Sequence, residues 1–481
     1  MRSRPSVLLA LPLMAGVLAA VPAAGQAKAP CAGERQVARA FTPAGHLVAS
    51  RAVACTLPTG FLTSETHVRV APDGTVIQQP AQTVPGVAGT GFVAGAPGPK
   101  PQTQVTPAGF AITRDGGRRF ERVLPAGIEW VASDGAIHVD EVTGRLYYYA
   151  LSPSTVPQAG GVGLADQLPA GYAHLVTSGD GGRTWVHSQA PGYVESENPR
   201  FTSGPTPRGG DRPVPGERIA YWCGNTALFV YGQRDCFRTL DGGQTWRFRS
   251  TLLRRGTPVH PECAGSQESF DAGDGYYPQM GPDGTLWSLV SCGSSTYLAR
   301  STDEGASFPV LRLRGLPLRT PAFDELRVDN RGTLYGVQKS GTKLLLRTSR
   351  DAGRTWGAAV DLVAPGLRGA AVGQWALALR GPGQLAAAYL TARSGGGWNG
   401  SVTVSRNAAA ARPVLVTATV HDGKRVMVTS PQSAKDDYID VDVAPDGSAW
   451  AGFYADCGAD AACATSPQNP MAKIGLLLHV G

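Results

Sequence analysis

The chain has 481 residues, 42% hydrophobic, 17% charged and 7% aromatic, with 62 glycines, 37 prolines and a formal charge of +7. A positive charge spread so thinly, without a local run of Lys or Arg, argues against a nucleic-acid groove. Few charges combined with abundant Gly and Pro suit many short strands joined by tight turns.

Residues 1–27 read as a secretory signal peptide. Arg2 and Arg4 precede an apolar run over 7–20, and small residues follow between Ala23 and Ala27. The mature protein is therefore expected to be secreted and extracellular, and no later apolar run is long enough for a membrane helix. Residues 28–45 read as an N-terminal segment and 46–481 as the folded body. The eight cysteines suit disulfides in an oxidising compartment. No Cys-x-x-Cys pair and no His spacing suggests zinc, so neither a metal nor a cofactor is expected. Proximity favours Cys457 with Cys463, Cys263 with Cys292 and Cys31 with Cys55. Cys223 with Cys236 remains, although the strand reading puts these two at opposite strand ends.

One pattern recurs along the body: Ser/Thr-x-Asp-x-Gly-x-Thr-aromatic. It stands at 113–120 (TRDGGRRF), 178–185 (SGDGGRTW), 239–246 (TLDGGQTW), 301–308 (STDEGASF) and 349–356 (SRDAGRTW). A decayed sixth copy at 405–412 (SRNAAAAR) has Asn407 at the acidic position. Asp115, Asp180, Asp241, Asp303, Asp351 and Asn407 lie 48 to 65 residues apart, the signature of an array of similar units. The carboxylate accepts backbone N–H groups just ahead of it and closes a hairpin turn. The glycine two residues on supplies a positive φ, and the aromatic ring starts the next strand and packs between units. These aspartates are expected to be structural.

The repeat resembles the BNR or Asp-box motif of the sialidase superfamily, whose members are β-propellers. The same box occurs in sialidases, xyloglucan-degrading enzymes, sorting receptors and assembly factors, so the resemblance implies architecture more than chemistry. An inner strand and its turn recur at 68–74, 139–144, 219–225, 277–284, 326–332, 376–383 and 439–447. The expected fold is all-β, a β-propeller of four-stranded antiparallel blades. Seven blades are favoured over six, and the last lacks its fourth strand, since the chain ends after 474–480. A strand at 46–54 is expected to close it, because an open ring leaves sheet edges exposed.

The Asp turns and the turns after the inner strands fall on one face. Long insertions at 80–108, 152–171, 188–216, 252–274 and 456–472 are assigned to the other, where function is expected. Residues entering the inner strands there are the candidate ligand-binding set: Glu65, His67, Glu217, Arg218, Tyr276, Tyr277, Gln374 and Trp375. Asp324, Glu325, Asp436, Asp437 and Tyr438 are the catalytic candidates, the four carboxylates expected to crowd together and raise at least one pKa. In sialidases a first arginine lies in a Phe/Tyr-Arg-Ile-Pro motif. The nearest match, 67–72 (HVRVAP), lacks the aromatic and the adjacent proline but makes Arg69 a further candidate.

The leading expectation is a monomeric propeller that recognises a glycan or another extracellular polymer. A retaining exo-glycosidase of sialidase type and a protein-interaction propeller are the alternatives.

Overall fold

A computed structural model describes residues 33–62, 65–81, 110–123, 136–150, 174–189, 196–226, 233–254, 259–263, 277–292, 295–313, 316, 322–420, 439–456 and 473–481. The proposed signal peptide lies outside these residues, as do Cys31, Cys457, Cys463, Tyr276, Asp436, Asp437 and Tyr438. Among the described residues no helix is long and apolar enough to cross a membrane.

The strands form seven antiparallel sheets, one per blade. Blade one comprises Glu65–Val70, Val76–Ala81, Phe110–Thr113 and Glu121–Val123. Blade two runs Ala136–Val139, Leu146–Ala150, His174–Ser178 and Val186–Gln189, and blade three Ser196–Gly204, Ile219–Thr226, Gln233–Thr239 and Arg247–Arg254. Blade four holds Gln279–Met280, Leu286–Cys292, Ser295–Ser301 and Val310–Arg312, and blade five Glu325–Val328, Leu334–Ser340, Lys343–Ser349 and Val360–Asp361. Blade six is built on Val372–Leu379, Leu385–Ala392, Trp398–Ser405 and Leu415–Thr419. Blade seven takes Asp440–Val443, Ala449–Asp456 and Lys473–Val480 from the C-terminal end and Val53–Leu62 from the N-terminal end. Each innermost strand contacts those of both neighbouring blades, which closes the ring.

Two expectations are corrected. The strand that completes blade seven is Val53–Leu62, not 46–54. Its ten residues can follow Lys473–Val480 along most of its length, whereas Leu47–Val48 instead adds to the outer side of blade six through Arg39–Phe41. Glu34–Val37 lines the outer side of blade seven, so the N-terminal segment straps the last two blades together.

The inner strand of blade three is Ser196–Gly204, and Ile219–Thr226 is its second strand. The physical reason is pairing: a second strand is bonded on both sides and covered on both faces, so an unbroken apolar run such as Ile219–Cys223 belongs there.

Packing between blades follows local side-chain size. Blades two and three meet through an aromatic cluster of Tyr147, Phe201, Trp222, Phe237 and Trp246, with the Trp222 and Phe237 rings 4.8 Å apart. Blades six and seven meet through alanines, including Ala376, Ala386, Ala388, Ala449 and Ala451. Gly400 leaves room there for the Phe453 ring, which a Cβ would approach to 2.9 Å. Cys223 and Cys236 are directly opposed on adjacent strands and form a disulfide, and Cys263 pairs with Cys292. Cys55 is disulfide-bonded as well.

Candidate functional site

An innermost strand is hydrogen-bonded on one side only, so alternate N–H groups face the channel and need another partner. Side chains from neighbouring inner strands supply it. Asp440 accepts the N–H of Val68 at 3.1 Å, Asp442 that of Val70 at 2.7 Å, and Thr202 that of Met280 at 3.1 Å.

The pairing registers set the inner-strand residues in layers, counted back from the turn that ends each strand. The second layer holds Arg69, His138, Ser203, Gln279, Arg327 and Asp442. The fourth holds His67, Glu325 and Asp440, with Tyr277 two residues before Gln279. Both layers lie on the same side of the pleat, because side chains alternate along a strand.

These layers are knitted by charge. Asp440 meets Arg69 and, at 3.1 Å, His67 Nδ1. Burial alone would raise its carboxyl, but Arg69 and the His67 hydrogen bond outweigh that and hold it well below the usual range. Burial lowers His67, with the Arg200 charge acting in the same direction. Asp442 shifts upward because burial outweighs Arg69 and the Val70 N–H. Arg327 binds Glu325 at 2.6 Å and donates through Nε to the Leu377 carbonyl of blade six at 3.0 Å.

Ser203 donates to Asp140 at 2.6 Å and lies 2.8 Å from His138 Nε2. Its proton therefore faces the carboxylate and its lone pair the imidazole, the reverse of an activated nucleophile. Burial lowers His138 to about 4, so this ring is neutral and serves as the donor.

At the end of the channel opposite the Asp turns, Tyr277 is flanked by two guanidinium groups. Arg234 lies 3.9 Å and Arg200 5.7 Å from its ring centroid. Arg234 is only 1% exposed and comes from the third strand of blade three, while Arg200 comes from its inner strand. A buried Arg234 and a half-buried Arg200 around one ring, with the Arg200 charge also felt by His67, make this end of the channel cationic.

The opposite mouth carries a different set. Arg380 donates to the Val443 carbonyl at 2.9 Å and to that of Val70 at 3.3 Å. Glu141 is open to water there, yet crowding by protein, with Asp442 and Asp140, pushes its carboxyl up to about 7 against the pull of Arg380.

The sequence-predicted residues are thus divided. Tyr277, Glu325 and Arg69 belong to the channel layers. Glu65 enters the inner strand of blade one opposite Ala81. Asp324 and Glu325 point to opposite sides of their strand: Asp324 accepts the Lys339 N–H of its own blade at 2.6 Å, so the two do not form a carboxylate pair. Burial raises Asp324, with the Lys339 N–H opposing. Gln374 accepts the Tyr454 hydroxyl at 2.7 Å, and Trp375 packs into the core with Tyr389 and Val372.

Glu217 and Arg218 lie at the Asp-turn face, a consequence of the strand correction in blade three. Glu217 forms a two-point pair with Arg145, and Arg218 lies 3.4 Å from Asp140. Sequence reasoning missed Asp440, Asp442, His138, Arg200 and Arg234. One signal was present for the first two: polar residues at every second position of an apolar strand, as in 439–443 (IDVDV) and 66–70 (THVRV).

The five Asp turns share one geometry. A Ser or Thr hydroxyl two residues before the Asp donates to it at 2.7–2.9 Å and accepts the N–H of the glycine two residues after it. The carboxylate accepts the N–H four residues on in every copy. Asn407 accepts from Ser405 and from the Val414 N–H, so the decayed copy keeps part of the turn.

No protein-family model matches the chain, and no curated protein matches it. Among solved structures it is similar to a leech intramolecular trans-sialidase complexed with 2,7-anhydro-Neu5Ac, at 14% identity over 88% of this chain and 68% of that one, TM-score 0.39. It is similar to the intramolecular trans-sialidase from Ruminococcus gnavus, at 14% identity over 86% and 94%, TM-score 0.36. An α-L-arabinanase of Penicillium chrysogenum complexed with arabinobiose stands at 13% identity over 80% and 98%, TM-score 0.39. None of these likenesses assigns a role to a residue of this chain.

Proposed function

We propose that the chain is an exported Asp-box propeller that binds an acidic glycan, or a related extracellular polymer, at the face opposite its Asp turns. In this reading residues 1–27 are the export signal, 46–481 form the propeller and the protein acts as a monomer. The observation that carries the reading is the Arg200–Tyr277–Arg234 cluster at that end of the channel. Guanidinium donors match a carboxylate in a fixed, two-point geometry.

Binding is favoured over hydrolysis because the channel carboxylates are already engaged. Asp440 holds Arg69 and His67, Glu325 holds Arg327, and Asp442 holds the Val70 N–H. Hydrolysis calls for one carboxyl free to act as acid and a second to act as base or nucleophile.

An array of sialylated, uronate-bearing and neutral glycans, read together with a fluorogenic sialoside assay, tests the reading. The wild type should bind acidic glycans without cleaving the sialoside, and Arg200→Ala should lose that binding at an unchanged melting temperature. Turnover by the wild type would replace the binding reading with the glycosidase one. Equal binding of neutral glycans would remove the arginines as the recognition element.

A further inference from the structure

Blade one departs from the other six at one position. The fourth residue of each second strand lies beside the fourth channel layer, in a strand bonded on both sides and covered on both faces, where an apolar residue is expected. In blades two to seven it is Tyr149, Trp222, Leu289, Val337, Ala388 and Gly452, all apolar or aromatic. In blade one it is Gln79, directly opposite His67.

Gln79 is 1% exposed, and neither its Oε1 nor its Nε2 has a hydrogen-bond partner. Among the described residues no other buried side chain leaves two polar atoms in this condition. Its neighbour Gln78 donates from Nε2 to Thr66 Oγ1 at 2.8 Å, which leaves only its Oε1 unpaired. The two glutamines face opposite sides of the strand. Gln79 shares the side of Ile77, which packs with Ile137 and Tyr148 of blade two.

An amide buried without hydrogen bonds costs free energy, whereas Met fills the same volume without that cost. Packing therefore does not account for glutamine here. Its place does suggest a use. Gln79 extends the layer of His67 and Tyr277, at the end of the channel where Arg200 and Arg234 flank the Tyr277 ring.

We propose that Gln79 is a specificity-determining residue of this site and takes two adjacent hydroxyls of a sugar, Oε1 accepting from one and Nε2 donating to the other. The inference rests on the glycan reading given above and narrows it. A hydroxyl both donates and accepts, so a vicinal pair satisfies both amide atoms, whereas a carboxylate would set an acceptor against Oε1. The ligand is thus an acidic sugar whose carboxylate meets the arginines and whose neighbouring hydroxyls reach Gln79. Because Gln79 is recessed between blades, a terminal sugar fits better than one in mid-chain.

Fluorescence anisotropy of labelled 3′-sialyllactose and labelled trigalacturonate, with the full folded protein, tests this. Gln79→Met, and equally Gln79→Leu, should weaken whichever probe the wild type binds by about tenfold, the loss of two hydrogen bonds. The salt dependence should stay that of the wild type, since no charge is removed. The melting temperature should equal or exceed the wild-type value. Gln78→Met should behave in the opposite way, lowering the melting temperature through Thr66 and leaving affinity unchanged. Unaltered affinity in both Gln79 variants, with the wild type binding, overturns the role of Gln79 and leaves the glycan reading intact. A lower melting temperature in both also overturns it, because the amide would then belong to the packing. Binding of neither probe by the wild type removes the glycan reading and this inference with it.

Discussion

The Asp turns and the channel layers are both polar networks, but they are built on opposite plans. In a turn the bonded residues stand two to four positions apart, so five copies hold nearly the same bonds whatever surrounds them. In the channel His67 and Asp440 are 373 positions apart, and the residue at a given layer changes from blade to blade, Arg69 and Arg327 apart. Repetition goes with local closure and serves the fold. The unrepeated residues occur where seven strand edges converge, which is also where a ligand can be read from several blades at once.

The largest separation between the two plans should come from removing one carboxylate from each. Asp440→Ala leaves Arg69 and the Val68 N–H without their partner in a largely buried place and should cost about 3–5 kcal/mol in chemical denaturation. Arg69→Met/Asp440→Leu should recover most of it, since an apolar pair of similar size needs no counter-charge. A double variant as unstable as the single would mean that Asp440 acts mainly by capping strand N–H groups.

Asp180→Ala should cost less, about 1–3 kcal/mol, because its bonds are made at a partly open turn. Glycan binding per folded molecule should stay the same. Normal stability with lost binding would assign the turns to recognition and erase the contrast.

Acidity should separate the regions by sign. Hydrogen bonds from Thr184, Ser178 and Arg183 outweigh slight burial and hold Asp180 at about 2, below its ordinary 3.8. Its contribution is present above about 4 and is lost as pH falls through about 2. Glu141 runs the other way: raised from 4.5 to about 7, it disfavours the fold once ionised. Its own contribution, read as the difference between wild type and Glu141→Gln, should therefore grow as pH falls from about 7 toward 4.5, opposed in the whole protein by neutral His138. Thermal melts of wild type and Glu141→Gln across this range check both, the variant losing the near-neutral change and keeping the acid one.

The smallest effect concerns backbone strain. Ala352 and Glu304 occupy the same turn position at φ 58° and 59°, where the other turns have glycine. Ala352→Gly should stabilise by roughly 0.5 kcal/mol, relief of a left-handed residue exceeding the added chain entropy. Glu304→Gly should destabilise instead, because Glu304 binds Arg238 and the Asp211 N–H across to blade three. Melting temperatures moving in the same direction would show that φ alone governs this position.

What the sequence by itself determined is the part held within short spans. Six turn motifs at near-regular spacing state the number of hairpins, and an incomplete last unit implies closure by an early strand. The closing strand was placed some residues too early, at 46–54 instead of Val53–Leu62, since two neighbouring segments both have strand character. Pairing length against Lys473–Val480 decides between them, and pairing is a tertiary fact. Blade three shows the same limit. An apolar run such as Ile219–Cys223 states that both faces are covered, not which of four strands it is, and the error carried Glu217 and Arg218 to the wrong face.

The site was decided almost wholly by the fold. Alternating charge in 66–70 and 439–443 hints that one side of each strand meets something polar. That His67 and Arg69 meet Asp440, or that Arg234 crosses to Tyr277 of the next blade, depends on ring closure and register. Neither leaves a local trace in the chain, because the free energy of such a contact belongs to two distant segments together.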